Sequence, residues 1–169
     1  MQFRRALASV MAVVAALGSA AAAERKVAVF DFELVDSSLE GERGVRADEQ
    51  ARLAALGERL RQKLAESGRF EVVDIAPVNA DAHAANLQSC GGCDLRLARK
   101  LGAELSVTGV VQKVSNLILN INVYARDTAS GQMVAAASAD IRGNTDESWT
   151  RGLDWLLRNR LLTPESGLR

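Results

Sequence analysis

Three consecutive strand-like segments between residues 101 and 143 constrain the fold of this chain more than any other feature. In the middle segment, every second residue is apolar and the residues between are mostly polar. The apolar set is Leu117, Leu119, Ile121, Val123 and Ala125, and the other set is Ile118, Asn120, Asn122, Tyr124 and Arg126. Alternation of this kind is typical of a half-buried strand. We therefore expect an antiparallel meander that is covered on one side.

The third segment is predicted to lie near a sheet edge. Residues 127–131 form a turn cluster before it, and Gly131 can adopt the positive φ that such hairpin loops use. The segment itself is rich in alanine, which is a poor strand former, so its neighbours have to hold it in place. We expect Ala137 to be exposed there, so that Ala137→Arg would weaken partner binding and leave stability nearly unchanged.

The amino-terminal half predicts a parallel strand pair joined by a helix. Residues 26–34 are apolar on both faces, as in a central strand. Residues 48–67 have a leucine stripe at helical spacing and stop before Gly68, and residues 70–75 form the next buried strand. The stripe consists of Leu53, Leu56, Leu60 and Leu64. Strand, helix and strand in this order predict a crossover between parallel strands.

The remaining elements complete an α/β domain of mixed α+β character. Residues 78–89 predict a weak helix or an irregular segment, and residues 94–101 a short helix. A closing helix is expected over residues 145–162, capped by Asn144 with Glu147 three residues later. Its buried stripe is Trp149, Leu153, Leu156 and Leu157. The predicted fold is a single domain with a mixed sheet of about five strands, in the order β-α-β-(α)-α-β-β-β-α.

The first residues predict export. Arg4 and Arg5 precede a short apolar run that ends in small residues before Glu24, which is the pattern of a cleavable signal peptide. We assign residues 1–23 to the signal peptide, 24–163 to the domain and 164–169 to a tail. No cysteine stands directly after the cleavage region, so a lipid anchor is not expected, and no later segment is long enough to span a membrane. The predicted location is the periplasm, in soluble form.

Charge argues against nucleic acid as a partner. The chain has 21 basic and 21 acidic residues, and loss of Arg4 and Arg5 leaves 19 against 21, a net charge of −2. A protein that binds nucleic acid needs a basic field or a platform of stacking aromatic side chains, and the sequence has neither.

The pair Cys90 and Cys93 is open to two interpretations. In an exported protein, a C-x-x-C spacing favours a local structural disulfide, which we predict. The same spacing before a helix also occurs in thiol-disulfide exchange, because a helix amino terminus lowers a thiol pKa. One such pair supplies only two of the four ligands of a structural zinc site, so no metal is assigned. No cofactor is expected.

Three further places are candidates for binding. Asp31 interrupts an apolar strand; it either bonds to nearby backbone N–H groups or contributes to a ligand site together with the polar loop 35–46. The acids of that loop do not have the spacing of a calcium site. Trp155 lies off the buried stripe of the last helix, beside Arg151, Arg158 and Asn159, and is a candidate contact residue. On the middle strand, Asn120, Asn122 and Tyr124 form a candidate partner-binding face beside an open edge.

Several motifs in this order resemble one known fold. They are VAVFDF, SGRF, EVVD, ARKLGAELSVTGVV and NVYARDTASGQMV. They resemble the amino-terminal domain of the periplasmic translocation protein TolB, the curli secretion lipoprotein and the penicillin-binding-protein activator lipoproteins. The segment FDFELVDSSLEGE and the CGGC look like a family of small exported bacterial proteins of unknown function, some encoded near quinoprotein alcohol-oxidation genes.

The leading hypothesis is a periplasmic accessory or binding module that acts through a protein partner and has no catalytic residues. The first alternative is a thiol-redox or metal-handling protein that uses Cys90 and Cys93. The second, which rests on the resemblance, is an accessory factor of a periplasmic quinoprotein alcohol dehydrogenase.

Overall fold

The computed structural model describes residues 24–164, 166 and 168. The predicted signal peptide lies outside them. Within them, six strands form one mixed sheet and four α-helices pack against it. The strands are β1 (Arg25–Val29), β2 (Glu33–Asp36), β3 (Phe70–Val72), β4 (Leu105–Lys113), β5 (Ile118–Asp127) and β6 (Met133–Arg142). The helices are α1 (Ala47–Glu66), α2 (Asn79–Ala84), α3 (Cys93–Lys100) and α4 (Asp146–Leu156), and a π-helical turn (Leu157–Leu161) follows α4.

The sheet has the order β3-β1-β4-β5-β6, and β2 pairs with β4 beyond the end of β1. β1 runs parallel to β3 and to β4, whereas β4, β5 and β6 are antiparallel. The predicted mixed α/β fold and its meander are confirmed. Gly131 has a φ of 73° in the β5–β6 loop, as the turn requires.

One predicted strand is two strands in the structure. Residues 30–32 lie opposite only Thr108 and Gly109 of β4, so the pairing breaks between β1 and β2. The aromatic ring of Phe32 packs onto Gly109, and a Cβ added to that glycine would lie 2.3 Å from the ring. The break thus places Phe30 and Phe32 in different cores. A continuous apolar run cannot reveal such an extra residue, because its effect depends on the partner strand.

Two hydrophobic cores lie on opposite faces of the sheet. The larger one packs the sheet against α1 and α4, including Leu60 and Trp149. The smaller one packs Ala28 of β1 and Phe30, directly after β1, against α2, α3 and their connections. No β5 or β6 residue belongs to the smaller core in the described residues. The meander is therefore covered on one side, as the alternation in β5 predicted.

β6 lies at the sheet edge, as its alanine content predicted, but the placement of Ala137 was wrong. Ala137 is opposite Val123, is 8% exposed and belongs to the larger core. The exposed residue is its neighbour Ala136. The physical reason is the alternation of side chains along a strand. Ala137 lies four residues before Ile141, so both side chains are on the face that packs into the core.

The N-cap of helix α4 lies one residue later than predicted. The hydroxyl oxygen of Thr145 accepts a hydrogen bond of 3.2 Å from the backbone N–H of Ser148, so Thr145 is the N-cap. Asn144, the predicted cap, donates instead to Glu49. The predicted stripe is buried throughout; it consists of Trp149, Leu153, Leu156 and Leu157. Leu168, within the predicted tail, packs into the larger core, and Arg69 donates to its carbonyl oxygen.

Candidate protein-interaction surface

The free edge of β6 presents unpaired backbone groups. Just beyond the strand pair, the N–H of Gly143 donates to the carbonyl oxygen of Leu117 at 3.2 Å. Gly143 and Leu117 are thus a hydrogen-bonded pair, and bonded and non-bonded pairs alternate along an antiparallel ladder. Ala136, Ser138 and Asp140 lie an odd number of residues before Gly143, so they direct their N–H and C=O groups away from β5. The described residues place no strand on that side of β6. This edge can therefore accept an additional strand.

Helix α4 turns this edge into a groove. Gly152 lies so close to the sheet that an added Cβ would be 2.4 Å from Ile141. Ser148, Arg151 and Trp155 line the groove on the helix side, and residues 138–142 of β6 line it on the strand side. The groove has a volume of about 550 Å³. A concave space beside an open strand edge has the shape that an extended peptide requires.

Asn120 lies beside this edge and is held there by side chains of β6. Its amide nitrogen donates to Asp140 at 2.8 Å, and its amide oxygen accepts from the hydroxyl of Ser138 at 3.0 Å. Both partners belong to the strand whose edge is free. The three side chains therefore form one hydrogen-bonded row on the polar face of the meander.

Asn122 and Tyr124 follow Asn120 along β5 on the same face of the sheet. Asn122 is 8% exposed, and its amide nitrogen has no hydrogen-bond partner in the described part of the chain. Tyr124 lies farther along, in a separate cavity of about 300 Å³ that Asp94 and Arg126 also line. Asp94 is buried there and accepts from Arg126 at 3.0 Å. The structure therefore places Asn120 at the edge and Tyr124 at a second, separate cavity.

The orphaned amide of Asn122 predicts a stabilising substitution. We expect Asn122→Val to raise the free energy of unfolding by about 1 kcal/mol, because it removes an unsatisfied buried donor and adds a good strand former. Urea denaturation measures the change. The matched control is Asn120→Val, which breaks two hydrogen bonds and should not stabilise. A destabilised Asn122→Val variant would show that this amide has a partner in solution.

Trp155, the candidate contact residue off the stripe, is 40% exposed and lines the groove together with Arg151. The guanidinium of Arg160 lies 5.7 Å from the centroid of its ring. Asn159 donates from its side chain to the carbonyl oxygen of Trp155. The stacking arginine is thus Arg160, which the sequence alone did not single out.

Asp31 lies in the break between β1 and β2, away from the groove residues. Its carboxylate accepts from Arg61 at 3.0 and 3.1 Å, and its other oxygen lies 3.2 Å from the Nε2 atom of His83. These partners are therefore side chains, and not the backbone N–H groups that one of the two sequence-based alternatives named. A small cavity of about 80 Å³ adjoins it, lined also by Glu33 and Asn79.

The sulfur atoms of Cys90 and Cys93 lie at disulfide-bonding distance, with Cα atoms 5.6 Å apart. Cys93 is buried at the first position of α3, and Cys90 is partly exposed. The backbone N–H of Cys93 donates to the Cys90 sulfur at 3.3 Å. In the described residues, no group of three or more His, Cys, Asp or Glu side chains is arranged to hold a metal ion.

A buried lysine at the end of β4 is the feature that sequence reasoning missed. Lys113 is fully buried, and its Nζ atom lies 2.8 Å from Glu49, 3.0 Å from Glu40 and 3.0 Å from Asp36. Asn144 also donates to Glu49, so the cluster joins β2, α1, β4 and the loop before α4. The signal available in the sequence was the position of Lys113 two residues after the core residue Val111, which places both side chains on the same face of β4.

The cluster holds its groups in their charged forms. Burial alone would lower the pKa of Lys113, but hydrogen bonds to the three carboxylates raise that pKa above its ordinary value of 10.5. Burial opposes ionisation of Glu49 as well, yet hydrogen bonds from Lys113 and Asn144 keep its pKa below 4.5. The hydrogen bond from Lys113 likewise lowers the pKa of Glu40. These opposite shifts are typical of a satisfied buried ion cluster.

No helix among the described residues has the length and apolar character needed to cross a membrane. Among curated protein sequences, none matches this chain. The fold does occur in solved bacterial proteins. The C-terminal domain of LpoB from Salmonella enterica is similar with a TM-score of 0.52 and 15% identity, over 73% of this chain and 87% of that one.

Two other solved structures are similar at comparable identity. PelC from Paraburkholderia phytofirmans, a dodecamer, has a TM-score of 0.50 and 14% identity, over 79% of this chain and 85% of that one. TolB from Acinetobacter baumannii has a TM-score of 0.43 and 13% identity, over 80% of this chain and 28% of that one. At such identities, LpoB and PelC establish a shared fold and nothing about activity.

A family model extends the comparison to sequence. It carries the description "Protein of unknown function (DUF2380)" and matches residues 25–161, which include every strand and helix described above. The predicted resemblance to a family of unknown function with this fold is confirmed. The protein belongs to that family, DUF3280.

Proposed function

We propose that the protein is an exported, non-catalytic accessory module that binds an extended segment of a periplasmic partner along β6. The observation that carries this proposal is the free β6 edge beside the groove of α4. The backbone groups of Ala136, Ser138 and Asp140 supply hydrogen bonds to such a segment, and Trp155 supplies apolar contact. Binding by strand addition needs no reactive side chain.

An open strand edge also favours a dedicated partner on physical grounds. Natural sheets protect their edges with charges, prolines or covering loops, because an unprotected edge pairs with other chains. In β6, the outward-directed positions Ala136 and Ser138 are small, and the charge of the third, Asp140, is engaged by the amide of Asn120. PelC, which shares this fold, was solved as a dodecamer. Self-association along the same edge is therefore an outcome to be measured.

The test replaces one outward backbone N–H. Ser138→Pro removes a donor that points away from β5, so the fold should tolerate it while strand addition is blocked. We expect capture of the periplasmic partner to fall at least about tenfold, which corresponds to about 1.4 kcal/mol. Quantitative affinity capture from periplasm, with circular dichroism of each variant, measures both effects.

Ser138→Ala is the matched control, because it keeps the backbone N–H and loses only the hydroxyl that donates to Asn120. It should retain the partner. Equal capture by the proline variant and the wild type would contradict the proposal. Sedimentation velocity of the same samples separates a foreign partner from self-association. The quinoprotein-dehydrogenase hypothesis names one partner for the same surface and is tested by the same variants.

A second candidate function is thiol-disulfide exchange through Cys90 and Cys93. It is favoured by the N–H of Cys93, which donates to the partly exposed Cys90 sulfur at the start of α3 and would stabilise a thiolate there. A reduction potential above about −230 mV would place the pair among redox-active dithiols, and one below about −300 mV would make the disulfide structural. Cys90→Ser with intact partner capture would also assign the pair a structural role.

A further inference from the structure

The charge of the groove indicates which segment it binds. Arg142, Arg151 and Arg160 are exposed around it, and Arg160 stacks on Trp155. Arg142 and Arg160 make no ion pair with a carboxylate within the described part of the chain, and Arg151 has only the exposed Glu147 at 2.8 Å. An exposed ion pair of this kind contributes little to stability, so Arg151 can exchange Glu147 for a carboxylate of a partner. Asp140 is the acid of the groove lining, and its carboxylate accepts from the amide of Asn120. The lining thus carries two arginines, Arg142 and Arg151, against one acid, on a chain that is negative overall from residue 24 onward.

The spacing of two groove residues matches the repeat of a strand. Arg151 and Trp155 are four residues apart on α4, which is about 6 Å along the helix axis. Side chains on one face of a strand repeat every two residues, which is about 6.7 Å. A strand added to β6 turns every second side chain toward α4. Where α4 runs along the added strand, two such side chains reach Arg151 and Trp155 at the same time.

From these observations we infer that the groove binds an acidic extended segment of a partner protein, with an Asp or Glu facing Arg151 and an apolar side chain two residues away facing Trp155. The inference rests on the proposed function and adds the chemistry of the partner. A concave groove beside unpaired backbone groups favours a peptide over a lipid surface, since a bilayer offers no backbone groups to complete the edge.

Synthetic peptides test the inference directly. The probe is a fluorescein-labelled nine-residue peptide in which threonine alternates with valine, leucine, glutamate and valine, made also with leucine and glutamate exchanged, since the direction of the added strand is open. Matched peptides carry glutamine or lysine in place of glutamate. By fluorescence anisotropy, we expect one glutamate peptide to bind about tenfold more tightly than its lysine counterpart, with glutamine between them. The preference should shrink in high salt.

Charge reversal in the protein provides the complementary arm. Arg151→Glu should reverse the order, so that the lysine peptide binds more tightly than the glutamate peptide. Arg96→Glu, an exposed arginine on α3 outside the groove, is the matched control and should leave the order unchanged. Trp155→Ala should weaken all peptides together.

The outcomes separate the two proposals. If Ser138→Pro abolishes peptide binding but glutamate, glutamine and lysine peptides bind alike, the acidic-segment inference is wrong and strand addition stands. If Ser138→Pro has no effect on a bound peptide, strand addition is wrong as well. Absence of binding by every peptide, with sedimentation of the protein on vesicles of phosphatidylcholine and phosphatidylglycerol that Arg151→Glu prevents, would overturn the inference in favour of an anionic membrane.

Discussion

Replacing Lys113 with methionine is expected to lower the free energy of unfolding by about 3–5 kcal/mol, because it leaves the buried carboxylate of Glu49 without its cation. Glu49 is 1% exposed and would retain only the hydrogen bonds from Asn144 and the N–H of Arg46. Asp36 and Glu40 would then repel Glu49 instead of sharing the ammonium group. Urea denaturation at pH 7, followed by circular dichroism, measures the loss.

The matched control is Lys63→Met on the surface of α1. Lys63 lies 2.6 Å from Glu66, but both side chains are substantially exposed, so we expect a change within about 0.5 kcal/mol. Adding Glu49→Met to Lys113→Met should recover part of the lost stability, because the buried unpaired charge is then removed. Equal effects of Lys113→Met and Lys63→Met would contradict a buried ion cluster.

The pH dependence provides an internal check with a defined sign. The carboxylates of the cluster have a lowered pKa in the folded protein, so their contribution is present above the ordinary values of 3.8 for Asp and 4.5 for Glu and is lost as pH falls through the folded values. Lys113 has a raised pKa, so its contribution is present below 10.5. The difference between wild type and Lys113→Met should therefore shrink between pH 7 and pH 3.

Replacing Ala137 with arginine is expected to destabilise the fold by at least about 3 kcal/mol, because the new side chain enters the larger core without a partner. Ala137 is opposite Val123 in the sheet, and the π-helical turn after α4 packs against β6. A guanidinium at this position either remains buried and unpaired or displaces that turn. Thermal denaturation and near-ultraviolet circular dichroism measure the loss of stability and of core packing.

Ala136→Arg is the control one residue away. Ala136 lies on the exposed face opposite Tyr124, so the same substitution should change the free energy of unfolding by no more than about 0.5 kcal/mol. The pair of variants measures which face of β6 is core, independently of any binding experiment. Equal stability of the two variants would contradict the assignment of Ala137 to the core.

The sequence determined the order and type of most elements, because their signals are local. Alternation marked the buried side of β5, and helical spacing marked the stripes of α1 and α4, since each pattern needs only one surface to be covered. The alanine content of β6 indicated an edge, and the position of Trp155 off the stripe indicated exposure. The same alternation, applied consistently, also assigns Ala137 to the core.

Only the tertiary structure decided how distant residues meet. Lys113 contacts carboxylates on β2, on α1 and in the loop between them. Asp31 contacts Arg61 and His83, which belong to two different helices. The strand break at residues 30–32 depends on the opposing Gly109, and the groove depends on the approach of α4 to β6 at Gly152. Such contacts depend on which faces pack together and in what register, and a one-dimensional pattern specifies the face of each element but not its neighbour.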